Sequence, residues 1–157
     1  MLGNIWRVDS LNQRDVATST YNGCWELLEK ESRTPEEDRE LLTLAFASRY
    51  HWSFVGGEEE AIISCWMISR AAAAVGDGAL AINFAQHAYD LAHDAAAPDW
   101  LVASVHEGLA RACAAIGKAR ARDEWYAAAA ELADQIQDPE YRALIADHLD
   151  SVPRPRQ

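Results

Sequence analysis

Apolar positions recur at helical intervals from residue 10 to residue 152 and nowhere alternate for more than a few residues, so the pattern predicts seven helices and no strand. Ser10-Leu-Asn-Gln13 reads as a capping box opening a first helix that runs to about Ser32. Thr34-Pro35-Glu36-Glu37 opens the second, with a hydroxyl at the cap, proline at the first helical position and a carboxylate reaching back. It ends near Phe54, ahead of the breaker Gly56-Gly57. Glu58-Glu59-Glu60 then place three carboxylates where the N-terminal dipole of a third helix, 58–75, favours them. Gly76-Asp77-Gly78 turns the chain into a fourth helix, about 79–95, and Pro98 opens a fifth that ends at Gly117. The sixth runs to about Ile136. Asp138-Pro139-Glu140 opens the seventh, to about Val152, with Tyr141, Leu144, Ile145 and Leu149 expected on one buried stripe.

The pattern also repeats. Ser64–Gly76, SCWMISRAAAAVG, is written again as Ser104–Gly117, SVHEGLARACAAIG, and in part as Gly23–Ser32, GCWELLEKES. Cys24 and Cys65, Trp25 and Trp66, Arg70 and Arg111, Gly76 and Gly117, and Pro98 and Pro139 are each 41 positions apart, and Tyr141 answers Trp100. A fixed period in this range marks a helical array in which each unit buries its apolar face by stacking on the next. The expectation is an all-α single domain over 10–152, built of three helix pairs and a C-terminal capping helix. A nine-residue extension (1–9) carrying Ile5, Trp6 and Val8 precedes it, and a short tail (153–157) follows.

A glycine ends the first helix of each unit (Gly76, Gly117), small residues recur in the second (Ala81, Ala88, Ala129), and Phe84, Trp125 and Tyr126 supply aromatics. In these features the chain resembles the tetratricopeptide repeat, with helices longer than the usual 34-residue unit allows. The resemblance covers about 16–152 and implies a right-handed α-α superhelix with a concave groove. Arg122 stands where that pattern has a small residue, Cys65 and His106 where it often has an aromatic, and the period lies in the HEAT and armadillo range. Ala47-Ser48-Arg49-Tyr50-His51-Trp52-Ser53, with Ile68-Ser69-Arg70, is similar to a group of small bacterial tetratricopeptide-like proteins, a likeness that adds no chemistry.

Charge narrows the partners. The 157 residues include 25 acidic and 14 basic ones, a formal net charge of −11 that repels phosphate backbones and anionic membrane surfaces within a Debye length of ~8 Å. Nucleic acid and membrane are therefore not expected. MLGNIWRVDS lacks the charged and apolar regions of a leader, and there is no run of 18 apolar residues, so the expected location is the cytoplasm. Cys24, Cys65 and Cys113 are odd in number and lack metal-ligand spacing, which makes them reduced core residues.

Applying the period to the first helix of each unit gives one repeated stripe, Trp25/Glu29, Trp66/Arg70, Glu107/Arg111 and His148/Val152, each an i,i+4 pair on one helix face. Arg70 and Arg111 are the basic residues at one matched position, and together they can hold a carboxylate through charge-assisted bonds. The structural alternative has Arg70 lying over Trp66 and Arg111 paired with Glu107 along its own helix. Arg49, His51 and Trp52, at the end of the second helix, are placed to close one end of the groove. His51 there is either an acid-base group or a satisfied residue at a helix C-terminus.

His87, Asp90 and Asp94 share a helix face, but Ala81, Ala85, Ala88 and Ala92 form the apolar stripe of that helix, so the His87 face points to solvent and no metal site is expected. No phosphate loop, dinucleotide fingerprint, nucleophile elbow or zinc-protease motif is present, and no cofactor is expected.

The sequence thus points to a non-enzymatic interaction module binding a peptide or protein segment, acidic or ending in a free carboxylate, in its concave groove. A small-molecule sensor or enzyme with an aromatic-cationic pocket of Arg49, His51, Trp66 and Arg70 is the alternative. A long open groove favours the first and a closed cavity of a few hundred Å3 the second. Self-association into a homodimer through Trp6, Trp100 or the capping helix is compatible with either.

Overall fold

A computed structural model of the chain describes residues 10–154, with side chains from residue 12 onward. The extension 1–9, with Trp6, lies outside the described residues. Seven helices account for most of the rest: α1 (Ser10–Leu28), α2 (Pro35–Val55), α3 (Glu58–Ala74), α4 (Gly78–Asp94), α5 (Asp99–Ala115), α6 (Ala119–Gln135) and α7 (Pro139–Asp150). There is no strand among the described residues.

The caps behave as their chemistry requires. Thr34 Oγ1 accepts from the Glu37 amide at 3.2 Å and Glu37 Oε2 accepts from the Thr34 amide at 3.0 Å, so two amides at the start of α2 are satisfied reciprocally. Glu60 Oε2 accepts from the Gly57 amide at 2.8 Å, and the Asp77 and Asp138 carboxylates accept from the first amides of α4 and α7. Gly76 and Gly117 follow α3 and α5 with φ of +85° and +72°, the left-handed geometry in which a side chain is strained.

Two local expectations are corrected. α1 stops at Leu28 rather than near Ser32: the Lys30 amide turns to the Leu27 carbonyl three residues back, at 3.3 Å, and Arg33 Nη1 also meets that carbonyl. Gln13 is buried, and its side-chain oxygen meets His51 Nδ1 rather than reaching back as the second member of a capping box.

α1 packs on α2, α3 on α4 and α5 on α6, as adjacent pairs. The backbones of the odd-numbered helices also approach one another in sequence, α1 to α3 to α5 to α7, whereas those of the even-numbered helices stand farther apart and meet through side chains, Phe46 on Phe84 and Tyr89 on Trp125. α3 and α5 sit centrally and are buried on most of their circumference, which is why their sequences are apolar nearly all round. α4 presents a stripe of alanines, Ala81, Ala85, Ala88 and Ala92, whose small size lets its backbone approach α3 and α5 closely. The buried hydroxyls are satisfied across the pairs: Ser48 Oγ donates to the Ala17 carbonyl at 2.9 Å and Ser69 Oγ to the Ala81 carbonyl at 2.8 Å. All three cysteines are free and buried, and burial pushes the Cys24 thiol up to about 12.

On α7, Ile145 and Leu149 are buried, but Leu144 is exposed and Tyr141 half-exposed. The expected four-residue stripe is narrower because α7 packs on α5 and α6, reaches Trp25 and Trp66 through His148, and has no eighth helix over its far side among the described residues. Tyr141 stacks flat on Trp100, ring centres 4.8 Å apart, joining the two period-related aromatics.

Candidate functional site

The period places Trp25, Trp66, Glu107 and His148 one above another on the four odd-numbered helices, and the structure brings all four together. Trp66 Nε1 donates to Glu107 Oε2 at 3.2 Å. His148 lies against both tryptophans, 5.5 Å from Trp25 and 5.6 Å from Trp66 between ring centres, and the tryptophans are 5.9 Å from each other. Gly108 makes this possible: a Cβ there would stand 2.9 Å from Trp66 Cδ1, so only a glycine lets the indole lie against α5. The capping helix thus fills the middle of the row with an imidazole. Burial, and next the nearby Arg70, push His148 down to about 4, and its Nδ1 is buried without a hydrogen-bond partner among the described residues.

Glu107 is 1% exposed and is the carboxylate that Arg70 and Arg111 share. The share is unequal. Arg111 donates to Glu107 Oε1 from Nε at 2.8 Å and from Nη2 at 2.6 Å. Its remaining donors go to α7, to the His148 carbonyl at 2.9 Å, Ser151 Oγ at 2.8 Å and the Ser151 carbonyl at 3.2 Å. Arg111 is therefore a brace tying the end of α7 to α5, with all three of its nitrogens engaged. Arg70 reaches Glu107 with Nη1 alone, at 3.4 Å, and otherwise lies over the Trp25 and Trp66 rings, 5.0 and 5.3 Å from their centres. Its Nε and Nη2 have no partner among the described residues. Burial, together with the positive charge of Arg111, pushes the Arg70 guanidinium down to about 10.

Arg70 opens into a cavity of about 370 Å3. It lies where α1, α3, α5 and α7 end side by side, lined by Trp25 and Leu28 of α1, Glu29 and Arg33 beyond it, the end of α3, the end of α5, and Ser151 and Pro153 beyond α7. Helix C-termini carry partial negative charge and unpaired carbonyls. The arginines answer both: Arg33 Nη2 donates to the Ala74 carbonyl at 3.0 Å, across a separation of 41 residues, and Arg111 caps α7. Arg33 also has a partner for each of its other nitrogens, Nε on Asp38 at 2.7 Å and Nη1 on the Leu27 carbonyl at 3.5 Å. It escaped the sequence reading, where the only signal was its position just past a helix end.

The other expected residues lie elsewhere. His51 pairs with Gln13, and Trp52 lies under the Arg14 guanidinium, 5.2 Å from the ring centre, both on the α1–α2 side. Arg49 lines a shallow cavity between α2 and α4 with Asn83, Phe84, Gln86, His87 and Asp90. The structure thus separates Arg49, His51 and Trp52 from the Arg70 cavity: α2 runs antiparallel to α1, so its end lies beside Gln13 at the start of α1, the opposite end from Trp25 and the cavity. His87 is exposed, and the described residues contain no group of three metal-ligating side chains. No described helix is long and apolar enough to cross a membrane. No protein-family model, curated protein or solved structure matches the chain.

Proposed function

We propose that this chain is a tetratricopeptide-like superhelix acting as a non-enzymatic interaction module, which takes the carboxylate of a peptide or protein segment at Arg70. The carrying observation is that Arg70 is a part-buried guanidinium whose nearest carboxylate is already claimed by Arg111, leaving one 3.4 Å contact and two nitrogens without a partner among the described residues, open to a cavity. A carboxylate entering that cavity would gain charge-assisted hydrogen bonds that Glu107 does not supply. The odd-numbered helices approach one another by their backbones, whereas the even-numbered ones meet through long side chains, which supports curvature with the odd helices inside. The overall charge of −11 makes this cationic spot the place where an anionic group is least repelled.

A second reading, a small-molecule sensor, is favoured by one feature: His148 fills the middle of the row, so what remains is a cavity of a few hundred Å3 rather than a long open groove. Both readings use Arg70. A library of peptides with free C-termini, screened for binding to wild type and to Arg70→Ala, tests them. Selection of carboxylate-ended sequences, weakened by about 1.5–3 kcal/mol in R70A, supports the interaction module. Binding of the same sequences as C-terminal amides, or unchanged affinity in R70A, rejects the role of Arg70.

A further inference from the structure

Counting the charged groups of the cavity by what each already holds leaves two. Arg33 is spent on Asp38 and two carbonyls, and Arg111 on Glu107 and the end of α7. Arg70 remains as the underused cation. Glu29 remains as the anion: it lines the same cavity, is exposed, and makes no hydrogen bond or ion pair through its carboxylate among the described residues. It follows α1 directly, its amide still bonded to the Trp25 carbonyl at 2.9 Å one turn back, while Arg70 lies over the Trp25 ring, so both charges line the cavity beside Trp25. The wall between them is aliphatic, formed by Leu28, Ala73, Ala74, Ala114, Ala115 and Pro153.

An unpaired carboxylate in the wall of an anion site weakens the binding of any purely anionic ligand through like-charge repulsion. It becomes favourable only if the ligand brings a cation. We infer that the ligand is a zwitterion with an aliphatic body, its carboxylate on Arg70 and its ammonium on Glu29, and that the cavity discriminates against simple anions such as phosphate or a dicarboxylate. The inference rests on the reading of Arg70 as the carboxylate site. The volume suits a free amino acid or a dipeptide. The same chemistry is offered by a polypeptide end with a lysine next to its terminal residue.

Calorimetric titration of wild type and Glu29→Gln with four probes tests this: alanyl-leucine, its N-acetyl form, its C-terminal amide, and a longer N-acetylated peptide ending in lysyl-leucine. The free dipeptide is expected to bind wild type about tenfold or more tighter than its acetylated form, with no saturable binding of the amide. E29Q, a change at an exposed position, is expected to remove the preference for the free over the acetylated form. Equal Glu29 dependence for the lysyl peptide assigns the site to polypeptide ends, and its failure to bind assigns it to small free zwitterions. Equal binding of free and acetylated dipeptides to wild type overturns the zwitterion while leaving the carboxylate at Arg70 intact. Absence of binding by all four probes also overturns it. Failure of the underlying reading is distinct, because Arg70→Ala would then leave binding of the acetylated probe unchanged.

Discussion

Trp66 and Glu107 occupy the same position of successive repeats, 41 residues apart, and are bonded to each other, indole Nε1 to carboxylate Oε2 at 3.2 Å. One repeat position thus supplies a donor in α3 and an acceptor in α5. The carboxylate that accepts it is the one that fixes Arg111 and only grazes Arg70.

Replacing Glu107 with glutamine keeps an acceptor for Trp66 but leaves two part-buried guanidinium groups without the buried carboxylate they share. The expected loss is about 3–5 kcal/mol, read by urea denaturation. A loss below about 1 kcal/mol would show that Arg70 and Arg111 are solvated in the folded chain.

The helical frame was legible because it depends on local chemistry: the hydroxyl, proline and carboxylate at 34–37, the glycines past α3 and α5, and the 41-residue period. The stacked site was legible for the same reason, since residues at matched repeat positions become neighbours once the units stack. Burial was less so. Glu107, an i,i+4 partner of Arg111 that would be exposed on an isolated helix, is enclosed by α3 and α7. Arg49, His51 and Trp52 lie apart from the Arg70 cavity because α2 runs antiparallel to α1 and ends beside Gln13, a pairing that spacing along one helix does not give. Arg33 was invisible as a site residue because its role is set by carbonyls at the end of a helix 41 residues away.

His148 gives the stability a pH dependence. Its folded pKa, about 4, lies below the unfolded value near 6.5, so the unfolded chain binds the proton more readily. The contribution is fully present above about pH 6.5 and is lost as pH falls toward 4, by on the order of 2 kcal/mol after discounting for solvent screening. His148→Phe keeps a flat ring against Trp25 and Trp66 and has nothing to protonate. Urea midpoints at pH 7 and pH 4.5 should therefore differ less in H148F than in wild type; an equal acid loss in both would place the sensitivity on other groups.

Gly108→Ala adds a methyl 2.9 Å from Trp66 Cδ1. Alanine favours helix by about 1 kcal/mol over glycine, so a surface position would gain stability. Here the displaced indole is expected to reverse the sign, with a net loss of about 1–3 kcal/mol and a shift in tryptophan fluorescence. A more stable G108A with unchanged fluorescence would show that Trp66 has room to move.

The most direct measurement is the Nε–H resonance of Arg70, followed by nitrogen-proton correlation NMR while a peptide with a free C-terminus is added and, separately, its C-terminal amide. The expected result is a saturable shift of Arg70 with the carboxylate and none with the amide, while Arg111, already bound on both sides, stays fixed. A peptide that saturates the protein, moves other resonances and leaves Arg70 unmoved would contradict the assignment of Arg70 as the ligand-binding group.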